Sequence, residues 1–122
     1  MSRFADPGST MLPDAGTRVL VLGLGISGEA AAGQLLRLGA TVTVVDEADD
    51  AMLRDRAGSL GGATVVLGDR SAGAELAAAT DLVLASPGVP EHAPALAAAH
   101  DAGVPVWSEV ELGFRLCTAP VV

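Results

Sequence analysis

Val19-Leu20-Val21-Leu22-Gly23-Leu24-Gly25-Ile26-Ser27-Gly28 decides how this chain folds. Four apolar, strand-forming residues run into glycines spaced G-x-G-x-x-G, and an alanine- and leucine-rich segment follows. That layout is a strand, a tight turn and a helix. Gly23 permits the turn, Gly25 leaves the backbone open to a phosphate, and Gly28 lets the helix pack closely on the strand. A helix start also presents unpaired N–H groups and the positive end of its dipole to an anion. The expected occupant is a phosphate-bearing ligand. The competing reading is a turn that needs glycine for packing alone.

Outward from that stretch, strands and helices alternate. The first strand covers about Arg18 to Leu22. The first helix covers about Ser27 to Leu38, with Ala31, Leu35 and Leu38 on one face and Gly39 closing it. Thr41 to Asp46 is β-branched nearly throughout, as in a strand buried on both faces. Asp46 ends that strand 18 residues after Gly28, where a βαβ unit sets an acid beside the glycine turn. It is expected to accept from a ribose hydroxyl or a base N–H; a helix cap or loop carboxylate is the alternative. Asp49 and Asp50 read as ordinary acids at the positive start of the next helix.

A short helix is expected over 51–57, a strand over 63–67, a turn over 68–73 and a short helix over 74–79. The fourth strand, 81–85, runs into Ser86-Pro87-Gly88-Val89-Pro90. This rigid loop falls on the same carboxyl edge as the glycine turn, the edge where open α/β sheets bind ligands. A helix over 94–102 follows, with proline in its first turn and Gly103 behind it. Next come a strand over 104–107 and a capping box, Ser108 with Glu111. The last helix runs to about Cys117, with Val110, Phe114 and Cys117 as its apolar stripe. The expected fold is a Rossmann-like, doubly wound, mainly parallel five-stranded α/β sheet in a single domain over 17–118. Residues 1–16 read as a flexible leader, and 119–122 as the opening of a strand into a further domain.

Composition narrows the function. The chain has 122 residues, half of them hydrophobic, a net charge of −8 and no lysine. With no basic stripe, nucleic acid and anionic membrane are excluded as partners. An anion must be held by backbone N–H groups and a few local donors. The single cysteine, Cys117, excludes an internal disulfide and reads as a small buried apolar residue in a reducing compartment. No apolar run reaches membrane-spanning length and no signal-peptide layout opens the chain, so a cytoplasmic location is expected. His92 and His100 have no ligand set around them. No nucleophile–base pair, Cys/His metal spacing or phosphate-binding lysine is present. These residues describe a binding domain without its chemistry.

The glycine turn, the strand ending at Asp46, Ala85-Ser86-Pro87-Gly88-Val89-Pro90 and Ser108-Glu109-Val110-Glu111-Leu112 occur in the order and spacing of one family. From about Arg18 to Val122 the chain resembles the N-terminal domain of the Mur ligases. Within that family it looks most like the branch that adds D-glutamate to UDP-N-acetylmuramoyl-L-alanine. The resemblance implies an amide-forming ligase of peptidoglycan synthesis that uses ATP and magnesium. In that family the substrate's carboxylate is activated as an acyl phosphate, which the amine of D-glutamate attacks.

The resemblance also implies that ATP and D-glutamate bind on C-terminal domains, and that this chain stops just short of the ATP-binding loop. It would then bind no cofactor and be inactive alone. Gly25, Ile26, Ser27 and Gly28 would meet the diphosphate of the substrate, Asp46 and Glu47 its uridine, and Ser86, Pro87 and Gly88 its sugar side. One departure is visible: Glu47-Ala48 stands where some members carry a threonine-arginine pair able to bond and stack on uracil. A nicotinamide-binding domain of an oxidoreductase, or an NAD-sensing module, also explains Gly23, Gly25, Gly28 and Asp46. It does not explain the later motifs.

Overall fold

The computed structural model describes residues 13–69, 71–90 and 93–118. Its elements follow in the order β1 (Arg18–Leu22), α1 (Ile26–Arg37), β2 (Thr41–Asp46), α2 (Ala51–Gly58), β3 (Thr64–Leu67), α3 (Ala72–Ala77), β4 (Leu82–Ala85), α4 (Pro94–Asp101), β5 (Val106–Ser108) and α5 (Glu109–Thr118). The five strands form one sheet in the order β3-β2-β1-β4-β5, and every pairing is parallel. The chain therefore winds outward from β1 to β3, then returns to the other side of β1. The crevice between β1 and β4 is the point where the winding reverses.

The central strand explains the two layers. Val19, Leu20, Val21 and Leu22 are all buried, but alternate residues enter different cores. Val19 and Val21 join Val42, Val44, Leu82 and Leu84 beneath Ala32 and Leu35 of α1, Leu53 of α2, Trp107 of β5 and Leu112 of α5. Leu20 and Leu22 join Val45 and Val83 beneath Ala72 and Ala77 of α3 and Ala95 and Ala99 of α4. This is period-two alternation with helices on both faces, so every position of the strand is apolar. Each fully buried Val or Leu contributes about 1.5–3 kcal/mol. With few aromatics, the second layer closes on small residues. The Gly73 Cα faces Ala95 so closely that a methyl group there would stand 3.2 Å from it.

Most expected boundaries stand within a residue or two, and the exceptions have local causes. The helix expected over 74–79 spans Ala72–Ala77. Asp69 accepts hydrogen bonds from the Ser71 and Ala72 N–H groups and starts the helix early. The strand expected over 104–107 pairs as Val106–Ser108, while Pro105, which lacks an N–H, offers its carbonyl to Val83 at 3.0 Å. Gly39 and Gly103 follow their helices at φ +87° and +73°, as C-terminal glycines do.

Within the expected leader, Pro13 is buried and Asp14 takes the Thr17 N–H in a turn. The apolar stripe expected on the last helix is corrected. Val110 and Phe114 are 78% and 66% exposed, and Leu112 is the buried residue. Residues 1–12, His92, 119–122 and the side chain of Cys117 lie outside the described residues. No helix among the described residues is long and apolar enough to cross a membrane.

Candidate functional site

The carboxyl ends of β1, β2 and β4 open on one cleft of about 720 Å³, a size typical of small-molecule sites. Gly25, Ile26, Ser27 and Gly28 line it, as do Asp46 and Glu47, and Ser86, Pro87 and Gly88. The residues singled out in the sequence thus share one wall-to-wall site, although they come from three separate strand ends.

Three backbone devices build the turn at its floor. Gly23 takes φ +94°, a conformation that side chains disfavour. Its N–H donates to the Val45 carbonyl at 2.8 Å, tying the end of β1 to β2. A Cβ on Gly28 would run into the Gly23 carbonyl oxygen, so that glycine is required by packing. Gly25 differs. It is the N-cap of α1 at φ −80°, ψ −173°, and a Cβ there would meet nothing within 4 Å. The protein itself does not need a glycine at 25; the space beside it is open cleft.

The mouth of α1 opens on the cleft. No side chain caps the helix, and its first internal bond runs from the Glu29 N–H to the Gly25 carbonyl at 2.9 Å. The N–H groups of Ile26, Ser27 and Gly28 precede that bond and point out of the helix end. Ile26 is 76% exposed beside them, an apolar side chain available to lie against a ligand.

The acid wall is more constrained than its sequence suggests. Asp46 Oδ2 accepts the Leu24 N–H at 2.9 Å, and Oδ1 accepts the Ala48 N–H at 2.9 Å. The carboxylate therefore holds the glycine turn, and Asp46 also lines the cleft. Arg56 of α2 donates to the Leu24 carbonyl at 3.2 Å from the other side. Leu24 is thus held at both its N–H and its carbonyl while its side chain is fully buried.

Beside the glycine turn, the Ser86 Oγ–H donates to Glu109 Oε1 at 2.8 Å, and the oxygen lies 3.4 Å from the Gly23 carbonyl. Ser108 accepts the Glu111 N–H at 3.1 Å, which is the cap expected for α5.

Asp69 also lines the cleft and was not singled out. Its position just past β3, on the same sheet edge, is the signal that could have found it. The Ser71 hydroxyl, then the Ser71 and Ala72 N–H groups, hold its carboxyl below the usual range against the opposing effect of burial. Glu109 and Arg56 were missed for a different reason. They act on residues 23 and 32 positions away, and no local pattern encodes such pairings.

Among the described residues lining the cleft none is basic, whereas Asp46, Glu47 and Asp69 are acidic. Of this lining the α1 mouth is the part that suits an anionic group, and the acid walls suit hydroxyl and N–H donors.

Residues 17–108 match the Mur ligase MurD-like N-terminal domain. A UDP-N-acetylmuramoylalanine--D-glutamate ligase of Thermobifida fusca is 52% identical over 103 residues, covering 83% of this chain and 22% of that protein. The enzyme of the same name from Streptomyces avermitilis is 50% identical over 103 residues, covering 83% of this chain and 21% of that protein. This chain thus spans about a fifth of the length of these relatives. Among solved structures, the UDP-N-acetylmuramate-alanine ligase MurC of Thermotoga maritima superposes with a TM-score of 0.63 at 21% identity, over 77% of this chain and 21% of that one, a likeness of fold. The glycine turn, the acid at the end of β2 and the loop after β4 all lie within the matched span, and the chain belongs to the MurD-like N-terminal domain family of the Mur ligases.

Proposed function

We propose that this chain is the UDP-gripping part of an ATP-dependent ligase that joins D-glutamate to UDP-N-acetylmuramoyl-L-alanine in peptidoglycan synthesis in the cytoplasm. One observation carries the reading: an uncapped helix mouth and an acceptor wall line one cleft. In this assignment the N–H groups of Ile26, Ser27 and Gly28 take the diphosphate, and the open space at Gly25 admits it. Asp46 and Glu47 offer acceptors to the uracil imide N–H and to ribose hydroxyls. Ser86, Pro87 and Gly88 face the sugar. A diphosphate matches the helix dipole, and a nucleoside with its donors outward matches the carboxylates.

ATP and magnesium belong, on this reading, to the other domains of the ligase. The residues here do not fit them. The chain has no lysine, and the described residues contain no group of three or more His, Cys, Asp or Glu able to hold a metal ion. No step of the ligation is assigned to this chain, whose part is to hold one end of the substrate while the reacting end is presented elsewhere.

Titration of the protein with UDP and with NAD, followed through backbone amide resonances, tests the proposal. UDP should bind more tightly and shift Ile26, Ser27 and Gly28 most. Preference for NAD, or shifts confined to other parts of the surface, would overturn it.

A further inference from the structure

We infer that Glu109 fixes the hydrogen-bond polarity of Ser86, so that the wall after β4 recognises a neutral donor on the ligand and turns away phosphate. The inference deepens the UDP-sugar reading and rests on it. Ser86 Oγ carries one proton, and both of its protein partners are acceptors: Glu109 Oε1 at 2.8 Å and the Gly23 carbonyl at 3.4 Å. The proton is thus committed to the protein, with the shorter and charge-assisted bond going to Glu109. What Ser86, a residue lining the cleft, has left to offer a ligand is its lone pairs.

Glu109 stands behind Ser86 and does not line the cleft itself. It is a positioning residue, and its negative charge adds to the acceptor character of that wall. A phosphate oxygen placed there would meet lone pairs and a nearby carboxylate. A sugar hydroxyl or an acetamido N–H would meet an acceptor already oriented for it. Two neighbouring parts of the cleft therefore read opposite chemistry: donors at the α1 mouth for the diphosphate, acceptors at Ser86 beside it for the hexosamine. That polarity sets which way round a nucleotide sugar lies.

The test measures binding of UDP and of UDP-N-acetylglucosamine to the wild type and to Glu109→Ala, Glu109→Gln and Ser86→Ala, with thermal unfolding of each. The wild type should prefer the sugar nucleotide. Glu109→Ala and Ser86→Ala should each lower the ratio of the two affinities about three- to tenfold, the worth of one hydrogen bond. Glu109→Gln, whose amide oxygen still takes the Ser86 proton, should keep the ratio. A strut that merely held the turn would lower both affinities together on Glu109→Ala and leave the ratio alone; that result overturns the inference. So does a wild type with no preference for the sugar, or a lost ratio in Glu109→Gln. Should Glu109→Ala fail to fold, Ser86→Ala and Glu109→Gln decide between them. Absence of UDP binding in the folded wild type would sink the nucleotide reading first, and this inference with it.

Discussion

Asp46 and Leu24, 22 residues apart, meet through a 2.9 Å hydrogen bond from the Leu24 N–H to Oδ2, while Oδ1 takes the Ala48 N–H. An acid expected to serve a ligand is thus also the brace of the glycine turn. Both of its oxygens must be acceptors for the turn to stand. Asp46→Asn keeps one acceptor and sets an NH₂ group against the other N–H. It should cost about 1–3 kcal/mol in urea unfolding and weaken UDP binding as the turn loosens. An Asn variant as stable as the wild type would show that the brace contributes nothing.

The glycines of the turn should separate fold from binding. Gly28→Ala forces a methyl group onto the Gly23 carbonyl. Neither backbone can yield without breaking the β1–α1 packing, so a loss of about 1–3 kcal/mol or more is expected. Gly25→Ala meets open space at a φ that any residue adopts. Its stability should stay within about 1 kcal/mol of the wild type, because a weaker N-cap is partly offset by a stiffer unfolded chain. UDP affinity should nevertheless fall sharply. Equal affinity in a folded Gly25→Ala protein would mean that no phosphate approaches there.

Acid should act on the cleft through Asp69. Its folded carboxyl titrates below the ordinary value of 3.8, chiefly because the Ser71 hydroxyl and N–H bond to the charged form. A folded value lower than the unfolded one means stability that is fully present above the unfolded value. It is lost as pH falls through the folded value. Since Asp69 starts α3, amide exchange at Ser71 and Ala72 should quicken below about pH 4 before the sheet opens. Asp69→Asn should quicken the same amides at pH 7 and flatten that acid response. Amides in the variant as protected at pH 7 as in the wild type would remove Asp69 from this role.

What could be read from the chain was what its physics keeps local. Alternating apolar strands, positive-φ glycines after helices and the G-x-G-x-x-G turn each depend on a few consecutive residues. They placed β1 through β4 and brought Gly25, Asp46 and Ser86 to one sheet edge. The bonds from Glu109 to Ser86 and from Arg56 to Leu24 depend on how distant elements dock, and no spacing announces them. The start of α3 escaped because a single carboxylate, Asp69, moved it. On α5 the periodicity was ambiguous: Val110 with Phe114, and Leu112 with Leu116, are both four apart. Helical spacing alone cannot choose between two such stripes.

Docking makes that choice, and mutation should reveal it. The helix α5 packs against α1 and β5, turning Leu112 into the core beside Trp107 and leaving Leu116 at its edge. Leu112 is 2% exposed, whereas Val110 is 78% exposed. Leu112→Ala therefore removes a full core side chain and should cost about 2–5 kcal/mol. Val110→Ala trades a β-branched surface residue for the best helix former and should change stability by no more than about 0.5 kcal/mol in either direction. Urea midpoints of the two variants decide the orientation of the helix. The same measurement bears on the site, because Glu109 sits one residue before Val110 and three before Leu112. A helix rotated to bury Val110 would carry the Glu109 carboxylate away from Ser86. If Val110→Ala proved the costlier change, the 2.8 Å contact that gives Ser86 its polarity would be lost with it.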